Sequence, residues 1–132
     1  VKRIISDDFI LNWKNFTNFD NKILNDGVLI KPNNSDPYFE SNFNIMEFAE
    51  GNKLLIKIDI EVEENSELTI YYKRIKSDYN ENDKDSKKLL KGLNTVVFEI
   101  KDYTSIENIR IDPVNSKINC VIKDIEFYKF SS

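Results

Sequence analysis

The chain has no histidine, one cysteine, one tryptophan, three glycines and three prolines among its 132 residues. Each scarcity removes a class of function. Without histidine, the commonest general base and the commonest zinc ligand are both missing. Cys120 has no second cysteine to pair with, and it sits inside an apolar run, where cysteine behaves as a small core residue. The glycines never cluster into a phosphate-cradling loop, and no serine stands in a nucleophile-elbow pattern. Basic residues are outnumbered 19 to 23, for a net charge of −4. Binding to nucleic acid or to an anionic membrane surface requires the opposite balance. No apolar run approaches the roughly 20 residues of a membrane-spanning helix, and no signal-peptide pattern opens the chain.

What is present is an ordinary globular composition, 40% apolar and 32% charged. A chain of this length suits one domain and can bury roughly two-thirds of its unfolded surface, enough for a core without disulfides or metals. The reading is a single β-sandwich over 1–132, cut from a longer protein, with an irregular lead-in over 1–26. In that lead-in Phe9, Trp13, Phe16 and Phe19 hint at a helical turn. Asn12, Asn15, Asn18 and Asn21 weaken any helix, so one short strand and a set of rings packed over the end of a core are expected.

Beyond Asp26 the signals become regular. A strand over 28–31 is stopped by Pro32, and a second is expected from Tyr38 to Ile45. Leu54, Ile56, Ile58, Ile60 and Val62 alternate with Leu55, Lys57, Asp59 and Glu61, a period of two that buries one face. Leu68, Ile70 and Tyr72 repeat the pattern after a hairpin loop. Residues 76–88 read as a long exposed loop, and Leu89-Leu90 as a short strand or a single helical turn. Val96, Phe98 and Ile100 share one face of the next strand. Two final runs, 106–112 and 118–128, face each other across Pro113-Val114-Asn115-Ser116-Lys117. In the last run Ile118, Cys120 and Ile122 have one parity and Ile125 and Phe127 the other, so a bulge is expected near Lys123-Asp124. Many short strands with long connections point to an all-β sandwich of jelly-roll type.

The ordered set Asp26-Gly27-Val28-Leu29-Ile30, Ser35-Asp36-Pro37-Tyr38-Phe39, Leu68-Thr69-Ile70-Tyr71-Tyr72, Gly92-Leu93-Asn94-Thr95-Val96, Ile109-Arg110-Ile111-Asp112-Pro113 and Ile122-Lys123-Asp124-Ile125 resembles galactose-binding-like jelly-roll modules. Such modules are appended to bacterial glycosyltransferases and other surface-polysaccharide proteins. The resemblance runs from Asp26 to Tyr128. It implies an accessory, non-catalytic module in a saccharide-related setting, beside the catalytic domain of a parent protein. A cytoplasmic location is expected with that parent, and an extracellular one is the alternative. Modules of this kind often hold a structural calcium, to which Asp124 or Glu126 could contribute; no other cofactor is expected.

The candidate ligand-binding residues are Arg110, Asp112, Tyr71, Trp13 and Tyr38. Arg110 and Asp112 flank Ile111 and stand on the outer face of their strand. They could grip sugar hydroxyls, or form an ion pair in which Asp112 or Asp124 holds Arg110. Trp13, Tyr38, Tyr71 and Tyr79 are the rings least committed to a core, and a ring can cover the apolar face of a sugar. Tyr71 is the strongest of these, on the wet face of its strand. The loop Asp78-Tyr79-Asn80-Glu81-Asn82-Asp83 imitates half of a calcium-binding EF-hand. Asp83 replaces the required glycine and Leu89 the closing glutamate, so it reads as a solvated loop. The carboxylate pair Asp59 and Glu61 could in principle serve glycoside hydrolysis, but it lies where surface charge is expected. Saccharide binding and docking without a sugar site are the two functions carried forward.

Overall fold

The computed structural model describes residues 2–3 and 6–131; Val1 and residues 4–5 of the expected lead-in lie outside them. Two antiparallel sheets pack face to face as a jelly-roll β-sandwich, as the alternation predicts. The strands are β1 (Lys2–Arg3), β2 (Trp13–Thr17), β3 (Phe19–Leu24), β4 (Gly27–Pro32), β5 (Tyr38–Ser41), β6 (Lys53–Val62), β7 (Ser66–Arg74), β8 (Lys84–Leu89), β9 (Gly92–Ile100), β10 (Ile106–Asp112) and β11 (Cys120–Phe130). One sheet runs β3-β4-β11-β6-β9, with β1 beside β11; the other runs β2-β5-β10-β7-β8.

β6 shows why the sandwich forms. Leu54, Ile56, Ile58, Ile60 and Val62 are all at most 3% exposed, while the residues between them face water in whole or part. Burying one such side chain contributes about 1.5–3 kcal/mol. Ile70, Ile109 and Ile111 meet this layer from the opposite sheet. The expected bulge is present: the register of β11 against β6 shifts between Ile122 and Asp124, so Cys120, Ile122, Ile125 and Phe127 all turn inward.

Four expectations are corrected. The lead-in is not irregular. A short helix, α1 (Ser6–Asn12), precedes β2 and β3, and these two strands enter different sheets with only Asn18 between them. Asn18 adopts φ 63°, a left-handed conformation that asparagine tolerates, and its side-chain amide donates to the Asp36 carbonyl at 2.8 Å. One of the asparagines that argue against a helix, Asn18, makes the corner instead. The driving force is a cluster of rings: Phe9, Trp13 and Phe19 converge on Phe39 with centroids 5.1, 5.0 and 6.2 Å away.

The second strand is shorter than expected. β5 ends at Ser41, and α2 (Ile45–Ala49) follows, capped by the Asn44 side chain accepting from the Glu47 amide at 3.0 Å. Part of the expected loop is a strand. β8, reading KDSKKL, pairs with β7 and forms the sheet edge, where lysines protect an open ladder better than apolar residues would. Finally, the two runs around Pro113 face each other across the sandwich rather than within a sheet. β10 belongs to the five-stranded sheet and β11 to the six-stranded one, so residues 113–119 form an arch between layers.

Candidate functional site

The outer face of the five-stranded sheet carries a row of charged and aromatic side chains that lie far apart in sequence. Cross-strand register aligns Lys14, Glu40, Arg110, Tyr71 and Lys84 on β2, β5, β10, β7 and β8. Neighbouring strands lie about 4.8 Å apart, so such a row brings its members into contact. Arg110 stands at its centre. The guanidinium carbon lies 3.7 Å from the Tyr38 ring centroid and 4.7 Å from that of Tyr71. Both distances are within the range of cation–π attraction.

Asp112, two residues along the same strand, receives a two-pronged bond: Arg110 Nε and Nη2 each donate to one carboxylate oxygen at 2.8 Å. Asp36, from the loop before β5, adds a second acidic partner 3.6 Å from Nη2. The partner of Arg110 is therefore Asp112, and Asp124 lies on the other sheet. Burial works against the charge on Arg110, but Asp112 more than compensates and keeps the guanidinium above its ordinary value. Burial also raises the Asp112 carboxyl, opposed by its bonds to Arg110. The two-pronged geometry is that of an ion pair, which fixes the guanidinium as a flat plate between two rings.

Three of the five candidate ligand residues meet directly at Arg110, and Arg110 is the fourth. Trp13 is the exception. It is 1% exposed on the inner face of β2, its ring packed against Phe39, Phe43 and Phe127. It belongs to the core and offers no face to a ligand. Tyr71 also departs from expectation, being only 9% exposed although it sits on the outer face.

Tyr71 is covered by Arg110 and Lys84 over its ring and by residues 75–83, which join β7 to β8. The Tyr71 hydroxyl donates to Glu81 Oε1 at 3.0 Å, and Lys84 Nζ donates to the other oxygen at 2.6 Å. Tyr79 is half-buried in a stretch whose other members from 75 to 82 are exposed. Its hydroxyl is enclosed beside Glu40 and Arg110, although the geometry falls short of a hydrogen bond. Burial first, and Glu40 second, hold that phenol in its protonated form well above the ordinary tyrosine value. The loop is exposed, as expected, apart from Tyr79 and Asp83, but it is fastened. Arg74 grips Asp83 with two bonds, of 2.8 and 3.0 Å, at its base. Glu40 is the neighbour of Arg110 that pattern alone did not single out; its signal is its register opposite Arg110, which a linear sequence does not display.

The other outer face differs. Asp59 accepts from Thr95 Oγ1 at 2.6 Å, and Lys57 lies 3.8 Å from Glu126. Asp59 and Glu61 share that face but do not line one cleft together. A cavity of about 370 Å³ opens there between Leu29, Val62, Val121 and the Glu61, Glu63 and Lys91 side chains, with no aromatic wall. Among the described residues, no group of three or more acidic or thiol side chains is placed to hold a metal ion.

No protein-family model and no characterised protein sequence matches the chain. Solved structures do. The chain superposes on a family 29 carbohydrate-binding module from Piromyces equi with a TM-score of 0.61 and 14% identity, covering 89% of this chain and 80% of that one. It superposes on the CBM22-1 and GH10 modules of an endo-1,4-β-D-xylanase from Clostridium thermocellum, complexed with xylohexaose, with a TM-score of 0.66 and 13% identity. That match covers 98% of this chain and 27% of the xylanase. An agarase matches with a TM-score of 0.66 and 10% identity over 92% of this chain and 24% of its own. At these identities the likeness establishes the fold, and the fold is the β-sandwich of carbohydrate-binding modules.

Proposed function

We propose that the chain is a non-catalytic saccharide-binding module, accessory to a carbohydrate-active protein. The carrying observation is the plate of Arg110 held between Tyr38 and Tyr71 on one outer face. Rings cover the C–H face of a pyranose, and the polar groups around them meet its hydroxyls. The fold shared with carbohydrate-binding modules supports this reading, as does the lack of a histidine and of a nucleophile elbow in the sequence. The parent we propose is a bacterial glycosyltransferase for surface polysaccharide, on the resemblance of the ordered strand motifs. Finding the transferase sequence beside this one would test that part.

The test of binding is calorimetry or affinity electrophoresis against a panel of soluble polysaccharides. The wild-type chain should bind at least one of them weakly. Tyr38→Ala should weaken that binding at least about tenfold, the loss of about 1.4 kcal/mol of contact, with little change in melting temperature. Absence of binding to every member of the panel would sink the proposal.

One observation favours a second reading, a docking module with no sugar site. Arg110 spends Nε and Nη2 on Asp112, and Tyr71 is covered, as a purely structural cluster would be. Under that reading no polysaccharide shifts the amide resonances around Arg110.

A further inference from the structure

The saccharide reading leaves a conflict. The residues that would hold a sugar are gathered in one place, yet Tyr71 and Asp112 are each 9% exposed. Residues 75–83 supply part of the cover. They leave the sheet at the end of β7 and return at the start of β8, but they fold back over the outer face instead of spanning the edge. The enclosed Tyr79 hydroxyl reaches Glu40, which is on β5, beyond β10. The distance from β7 to β5 is two strand spacings, about 10 Å. The loop therefore meets this face at two points, Glu81 against Tyr71 on β7 and the enclosed Tyr79 hydroxyl beside Glu40 on β5.

How the loop is fastened is uneven. Its base is fixed by the Arg74–Asp83 fork, by Arg74 Nη1 donating to the Asp102 carbonyl and Ser105 Oγ at 2.9 Å each, and by the Tyr72 amide bonding the Asp83 carbonyl at 3.2 Å. Its tip is held by little. Glu81 is 73% exposed, so its bonds to Lys84 and Tyr71 compete with water. The remaining tip side chains from Ser77 to Asn82, apart from Tyr79, lie in solvent. The Tyr79 hydroxyl itself is enclosed without a hydrogen bond, which costs the closed arrangement part of what ring burial contributes.

We infer that residues 75–83 are a displaceable cover over the ring-and-arginine face and that Tyr79 holds the place beside Glu40 that a sugar ring takes when a polysaccharide binds. This inference rests on the saccharide reading. A pyranose laid on the same strands takes the place of Tyr79 beside Glu40, and its hydroxyls can donate to the Glu40 oxygen that Asn15 does not use. Opening breaks the Glu81 contacts and leaves the Arg74 anchor intact, so the loop hinges on its base. Because the free chain is mostly closed, its apparent affinity is reduced by the fraction that is open.

The test measures affinity for whichever panel polysaccharide binds best. Tyr79→Ala should tighten binding about tenfold by removing the competing ring. Tyr79→Phe keeps the ring and should bind no more tightly than wild type. Tyr38→Ala, on the platform itself, should weaken binding. In the wild-type chain, polysaccharide should raise amide hydrogen exchange at residues 77–82 and leave Arg74 and Asp83 protected. Weakening by Tyr79→Ala alongside weakening by Tyr38→Ala would overturn the cover and make Tyr79 part of the platform, with saccharide binding intact. Unchanged affinity in Tyr79→Ala would also overturn it. Failure of wild type and Tyr79→Ala alike to bind any polysaccharide would remove the saccharide reading and the cover together.

Discussion

The two sheets are written in the same alternating code, yet their outer faces have become different objects. On the six-stranded sheet the outward residues of β6 are Leu55, Lys57, Asp59 and Glu61, and their contacts are short and local: a threonine here, a glutamate there. On the five-stranded sheet the outward residues form one continuous network from Tyr38 through Arg110 and Tyr71 to Lys84, and beside it Asn15 donates to Glu40 at 2.9 Å. The first face is a solvated scaffold. The second is held in place by rings, an ion pair and a loop folded over it. Alternation therefore marks which residues leave the core, and cross-strand register decides whether they then assemble into a site.

The strongest way to break this comparison is to attack the inner layer both faces share. Ile58→Asp places a charge where the side chain is 1% exposed and should unfold the chain, at a cost of several kcal/mol, about 4 or more. Its neighbour Lys57→Asp, on the solvated face, should change stability by less than about 1 kcal/mol in urea titration. Equal tolerance of the two substitutions would refute the assignment of faces.

Alkaline pH gives the next largest effect and reads both sheets at once. Burial pushes the Cys120 thiol in β11 up to about 12, against about 8.5 when unfolded. Between those values the native chain keeps a proton that the unfolded chain releases, so stability must fall as pH rises through that window, by up to about 1.4 kcal/mol per unit. The phenols of Tyr72 and Tyr79, raised chiefly by burial, add a further fall once pH passes about 10. Melting temperature against pH should show both stages, with Cys120→Ala flattening the first and Tyr79→Phe reducing the second.

Arg110→Ala should then cost about 2 kcal/mol, because it leaves Asp112 half-sealed from water without its partner. Adding Asp112→Ala should recover part of that loss, which a denaturation double-mutant cycle would reveal. An equivalent pair on the other face, Asp59→Ala with Thr95→Ala, should show little coupling. The smallest effect is expected for Trp13→Phe. The indole Nε1 is buried without a hydrogen-bond partner among the described residues, so losing it offsets the lost area to within about 1 kcal/mol.

Much of the scaffold was legible. Leu54 to Val62 announced β6, and the switch of parity after Ile122 announced the bulge in β11. The failures share a cause. Trp13 looked uncommitted because its partners Phe39, Phe43 and Phe127 are distant in sequence. β8 read as a loop because Lys84 to Lys88 lack an apolar period, and only its ladder with β7 makes it a strand. The Arg110–Asp112 pair was readable because both residues lie on one strand; the rings that flank it, and Tyr79 beside it, come from elsewhere. Tyr71 was placed on the correct face, but nothing local told that a later loop would lie across it.

β1 runs antiparallel beside the last strand, Lys2 opposite Phe127 and Arg3 opposite Glu126. The chain thus enters and departs at the same end of the six-stranded sheet, back to back with the surface that bears Arg110. Any tether at either terminus would load the six-stranded layer and leave the face that bears Arg110 turned outward.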